Sequence, residues 1–86
     1  MIAKQRHVFA HPGWFLSLRQ TAPDRNERYK VVNAIEEHLK TIDNPSQEMR
    51  SVPNGLHQYE FDVLNYTIIV RWQADQPGDI ALLEIY

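Results

Sequence analysis

Apolar residues recur along the chain with two different periods, and the change between them falls near residue 55. From residue 12 to residue 42 they return every three or four positions: Trp14, Phe15 and Leu18, then Tyr29, Val32, Ile35, Leu39 and Ile42. That spacing gathers side chains on one side of a helix. From residue 58 onward they alternate. Tyr59, Phe61 and Val63 oppose Gln58, Glu60 and Asp62, and then Tyr66, Ile68, Val70 and Trp72 oppose Thr67, Ile69, Arg71 and Gln73. A period of two is that of a strand with one covered face.

Local signals divide these tracts into elements. His11-Pro12-Gly13 closes a first strand over residues 4–9. Pro12 then opens a short helix to about residue 20, because a proline in the first turn forfeits no helical hydrogen bond. Thr21, followed three positions later by Asp24 with Pro23 between them, reads as the start of a second helix over residues 23–41. The outer face of that helix carries Arg25, Arg28, Glu36, Glu37 and Lys40. Asn44-Pro45 ends it, since a residue before proline avoids helical angles. A polar loop leads to the turn Pro53-Asn54-Gly55, Leu64-Asn65 reverses one strand into the next, and Pro77-Gly78 has the form of a type II turn. Residues 80–86 form a last strand, apolar on both faces. The order predicts one α+β domain over residues 1–86, with two N-terminal helices packed on an antiparallel sheet of three to four strands. The last strand is either central and covered or an edge that needs a partner chain.

Charge adds a second division. The formal net charge is −2 and the isoelectric point about 6.0, which argues against a protein that grips nucleic acid by charge alone. Residues 1–30 hold six bases against two acids, and residues 31–86 hold three against nine. The basic third is thus +4 and the remainder −6. There is no cysteine, so disulfides, thiolate metal sites and cysteine nucleophiles are excluded. No apolar run approaches the roughly 20 residues of a membrane span, and the N-terminus lacks a signal-peptide core, so a cytoplasmic location is expected. No motif suggests a cofactor or a small-molecule ligand.

With the elements in place, a likeness emerges. The chain between Trp14 and Val70 resembles the RelE/ParE superfamily of small type II toxins. The matching positions are Leu18 and Pro23 at the hinge, then Arg28, Val31, Ala34 and Ile35 in the second helix. They continue with Asn44-Pro45, with Gly55-Leu56-His57-Gln58-Tyr59, and with Asn65-Tyr66 opening a strand that runs to Val70. The resemblance implies the toxic half of a toxin–antitoxin pair in bacterial stress response, held by a cognate antitoxin and directed either at messenger RNA on the ribosome or at gyrase. It carries the scaffold and not the ribonuclease residues. Glu60 and Asp62 stand where ribonuclease relatives carry bases on the central hairpin, and Thr67 stands where an arginine follows the tyrosine. In-line attack on a phosphate needs positive charge against the developing oxyanions, each donor contributing about 3 kcal/mol, and two carboxylates repel it.

Three hypotheses follow. The first is a toxin-like domain acting by protein binding. The second is a ribosome-associated messenger RNA endoribonuclease in which His11 and His57 supply the acid and the base. The third is a catalytically silent relative that keeps the scaffold alone. Arg25, Arg28 and Arg71 are the candidate contacts for a partner or for nucleic acid, with pairing to Asp62 or Glu60 as the structural alternative for Arg71. Trp72, closing the series of covered positions, is expected beneath a helix. His7 and His11 lie four apart without an acidic third ligand, so no metal site is expected.

Overall fold

The computed structural model describes residues 8–42, 45–72 and 80–86. In chain order the elements are β1 (Val8–Ala10), α1 (Pro12–Thr21), α2 (Arg25–Thr41), α3 (Pro45–Glu48), β2 (Arg50–Ser51), β3 (Gln58–Val63), β4 (Tyr66–Trp72) and β5 (Ile80–Ile85). One sheet contains all five strands in the order β1-β5-β4-β3-β2. The α+β class is as expected, but the sheet is larger than three to four strands and is mixed. β1 runs parallel to β5, while the other neighbouring pairs are antiparallel. β1 leaves the sheet into the helices, and the chain returns to the same sheet through the meander. β2 escapes a periodicity reading because two residues between α3 and a turn are too short to display a period. Of the expected first strand, residues 4–7 lie outside the described residues, as do Asn44 of the helix break and the Pro77-Gly78 turn.

The helices cover one face of the sheet. Val31, Ile35 and Leu39 of α2 and Ile42 at its end pack with Phe61, Val63, Ile68, Val70, Trp72, Ile80 and Ile85. Trp72 is therefore buried as expected. Two helical positions differ from the sequence reading. Val31 is buried while Tyr29 is 68% exposed and Val32 is half-buried. Tyr29 is about 200° around the helix from Val31, so both cannot face the sheet. On α1, Trp14 and Leu18 are buried, and Phe15, about 100° away from Trp14, is 60% exposed.

The start of α2 also differs. Asp24 is the cap, its carboxylate accepting from the Glu27 amide at 3.0 Å, and Thr21 belongs to the last turn of α1. Thr21 is instead occupied with β5. β1 ends at Ala10, so it flanks only the first half of β5. Beyond it, the His11 amide donates to the Leu82 carbonyl at 2.9 Å and the chain enters α1. The Ser17 hydroxyl then donates to the Ile85 carbonyl at 2.8 Å and accepts from the Ile85 amide at 3.0 Å, while the Thr21 hydroxyl donates to the same carbonyl at 3.0 Å. A helix thus satisfies strand-edge groups that would be costly to bury unpaired. β5 is central, flanked by β4 on one side and by β1 and then α1 on the other. Its apolar composition is explained within the fold.

Candidate functional site

Cross-strand registers set the uncovered face of the sheet in three rows. Asp62, Thr67 and Tyr86 form the first, the last two joined by a pair of backbone hydrogen bonds. Arg50, Glu60, Ile69 and Glu84 form the second. Gln58, Arg71, Ala81 and Phe9 form the third. A register irregularity between Ile69 and Val70 makes Leu83 the extra residue, so Ala81 and Glu84 share a face although three apart.

A closed network occupies the first two rows. The Arg50 guanidinium grips Asp62 in bidentate fashion, Nη1 to Oδ2 at 3.0 Å and Nη2 to Oδ1 at 2.9 Å, while its Nε donates to Glu60 at 2.9 Å. The Thr67 hydroxyl donates to Asp62 at 2.9 Å and the Tyr86 hydroxyl to Glu60 at 3.2 Å. The side chain of Arg71, for which the sequence suggested Asp62 or Glu60 as partners, makes no ion pair or hydrogen bond among the described residues. Arg50 takes that role because it stands directly opposite Glu60, whereas Arg71 stands opposite Gln58. Arg50 was missed in the sequence because its strand is too short. The only available signal was a basic residue a few positions before a Pro-Asn-Gly turn and alternating acids beyond it.

The network has a titratable member. Hydrogen bonds from Arg50 and then Thr67 hold the Asp62 carboxyl below the ordinary aspartate value of 3.8. A folded-state value below the unfolded one contributes stability that is complete above the unfolded value and lost as pH falls through the folded one. Wild type should therefore exceed Asp62→Asn in urea stability at neutral pH, and the gap should close below about pH 4. A gap independent of pH between 2 and 7 would refute this role for the carboxylate. Partial burial, with the hydrogen bond to Glu60, raises the Tyr86 phenol above its usual value.

The two candidate histidines are held apart. His11 caps α1, its Nδ1 accepting from the Gly13 amide at 3.3 Å, and it continues the line of β1. His57 lies at the head of β3 with a positive φ of 57°, and its carbonyl accepts from the Trp72 amide at 2.9 Å. Three strand positions separate the two lines. At about 4.8 Å per strand, the backbones are some 14 Å or more apart, too far for two imidazoles on one phosphate. The structure does not bring them together.

A second surface lies between the helices. α1 packs over β5 and α2 packs near β3, so the two diverge and leave a groove of about 480 Å³. Leu18, Tyr29 and Val32 supply its apolar part, Arg25 and Arg28 its basic part, and Glu36 lies farther along α2. The two arginines differ. Arg28 is spent on the corner between the helices, its Nη1 donating to the Pro23 carbonyl at 2.6 Å and the Ala22 carbonyl at 3.2 Å. Arg25 is exposed. The charge of Glu27 nearby is shared with the Tyr66 hydroxyl at 3.3 Å, and burial beside that carboxylate raises the Tyr66 phenol.

No protein-family model matches the chain, and no curated protein matches it. Among the described residues no group of three His, Cys, Asp or Glu side chains is placed to hold a metal ion, and no helix is long and apolar enough to cross a membrane.

Proposed function

We propose that the chain is a toxin-like component of a type II toxin–antitoxin module that acts in the cytoplasm by binding proteins. A cognate antitoxin is the first partner, and gyrase or the ribosome the target. The observation that carries this reading is the groove between α1 and α2, with apolar Leu18, Tyr29 and Val32 beside the exposed Arg25. An apolar trough with a basic rim suits an acidic amphipathic segment, whose aliphatic side chains fill the trough while its carboxylates meet the arginine. The uncovered sheet face favours binding over RNA cleavage. It holds Arg50 and Arg71 against Glu60, Asp62 and Glu84, and Arg50 is already committed to two of those acids. A phosphate backbone meets no excess of positive charge there.

The test is expression in a bacterial host, alone and together with a short antitoxin-like protein, should the neighbouring reading frame encode one. Growth should stop in the first case and recover in the second, with the two products purifying as a complex. Arg25→Glu combined with Tyr29→Ala should weaken that complex about tenfold or more, as loss of an aromatic and an arginine anchor does at other interfaces. Unimpaired growth together with no complex would overturn the proposal. New messenger RNA ends that disappear in His57→Ala would move the assignment to the endoribonuclease.

A further inference from the structure

The outer side of α2 carries a regular series, Arg25, Tyr29, Val32 and Glu36, spaced by four, three and four. That is the spacing of a coiled-coil seam, and it gathers the four side chains on one narrow stripe of the helix. All four line the groove toward α1, whereas Val31, Ile35 and Leu39 form the separate stripe that packs on the sheet. Arg25, Tyr29 and Glu36 are exposed and Val32 is half-buried. The two charges at the ends of the stripe are not consumed within the chain. Lys40 and Glu37 of the same helix pair with each other at 3.4 Å, while the Arg25 and Glu36 side chains make no ion pair or hydrogen bond among the described residues.

The series reads base, apolar, apolar, acid, and its spacing is the same from either end. A second copy turned end over end therefore meets it with opposite charges at both ends and with Tyr29 opposite Val32 on both sides of the midpoint. This is the condition for a two-fold interface, in which residue i contacts j while j contacts i. At 1.5 Å per residue the two charges stand about 16 Å apart, so both ion pairs and the apolar centre fit along one helix. A parallel arrangement would instead set Arg25 against Arg25 and Glu36 against Glu36, which like-charge repulsion disfavours. Phe15, 60% exposed, precedes Leu18 of the groove by three positions on α1 and extends the apolar wall beside the stripe.

We propose that two copies of the chain associate through antiparallel α2 stripes about a two-fold axis, Arg25 of each copy meeting Glu36 of the other around a centre of Tyr29 and Val32. A single helix stripe with a short flank belongs to the small end of specific interfaces, so the association is weak, at about micromolar concentrations or above. This inference goes beyond the proposed function and does not depend on it. A partner segment in the groove would displace the second copy, since both need Tyr29 and Val32.

Sedimentation equilibrium of the purified full chain, from micromolar to millimolar concentration, tests it. Wild type should pass from one-chain to two-chain mass as concentration rises. Arg25→Glu and Glu36→Arg should each weaken self-association by about tenfold or more, because each sets like charges at both ends of the interface. An equimolar mixture of the two variants should recover it. In the mixed pair the introduced glutamate faces the introduced arginine, and the native Arg25 and Glu36 face each other. Both positions are exposed, and unchanged circular dichroism identifies the variants as folded. A wild type that keeps one-chain mass throughout would overturn the proposal, and that series needs no variant. So would a dimer unaffected by Arg25→Glu, or a mixture that associates no better than its separate components. A chain that stays monomeric yet still forms a complex with an antitoxin-like protein would overturn the self-association alone.

Discussion

Ile68→Ala is expected to remove about 2–5 kcal/mol of stability, the range for deleting most of a fully buried aliphatic side chain from a packed core. Ile68 is 0% exposed in the middle of β4, opposite Phe61 on one neighbour and Ile85 on the other, with the helices above it. A domain of this length has a total stability of about 4–13 kcal/mol, so the variant approaches the limit of folding. Each kcal/mol lowers the midpoint of a domain this size by about 4–8 °C, so thermal denaturation followed by circular dichroism should show a drop of at least about 8 °C. A loss below about 1 kcal/mol would mean that the residue does not fill a closely packed site. The same truncation at Tyr29 should have little effect on stability, because Tyr29 is exposed on the outer side of α2.

Ser17→Ala should be nearly as damaging although it removes a single oxygen. That hydroxyl accepts from the Ile85 amide and donates to the Ile85 carbonyl. In the alanine variant the carbonyl keeps the Thr21 hydroxyl, but the amide loses the acceptor that α1 supplies. An unsatisfied, partly buried donor costs about 1–3 kcal/mol. The distinguishing readout is the Ile85 amide, whose exchange should accelerate far more than that of Ile68. Ser17→Thr, which keeps the oxygen, should recover most of the loss. Equal stability of the alanine variant and wild type would show that the edge of β5 does not depend on α1.

Much of this architecture was legible in the residues, for a definite reason. Tyr66, Ile68, Val70 and Trp72 alternate strictly because one sheet face is covered by helices and the other is not, and such patterns survive without any knowledge of partners. The reversal at Leu64-Asn65 and the break after Thr41 are local backbone matters, equally open to a reading of short windows. The helix faces were read less well. Tyr29 and Val32 lie at acceptable spacings from Ile35, and only the angle at which α2 meets the sheet selects Val31 instead. Thr21-Ala22-Pro23-Asp24 contains two possible caps, and the choice fell to Asp24 because Thr21 is engaged by Ile85, 64 residues away.

The candidate surfaces were legible in part. Arg25 was recognisable as an exposed base on an amphipathic helix. That Arg28 is withdrawn to the helix corner, and that Arg50 rather than Arg71 meets Glu60 and Asp62, depends on cross-chain geometry. His38 gave no distinctive signal at all. Its stacking on Phe61 arises where the end of α2 passes over β3, a juxtaposition that no spacing along the chain encodes.

By itself, then, the sequence determined the α+β class, the covered face of the meander, the burial of Trp72 and the acidic character of the central hairpin. Each is a property of neighbours within one element, where backbone periodicity converts order into orientation. Tertiary structure alone decided that β1 joins β5 in parallel, that α1 completes the edge of β5 and that Arg50 closes the acidic pair. It also decided that α1 and α2 diverge into a groove. These depend on which distant segments meet and in what register, and a shift of one residue in that register would send every one of the side chains to the opposite face.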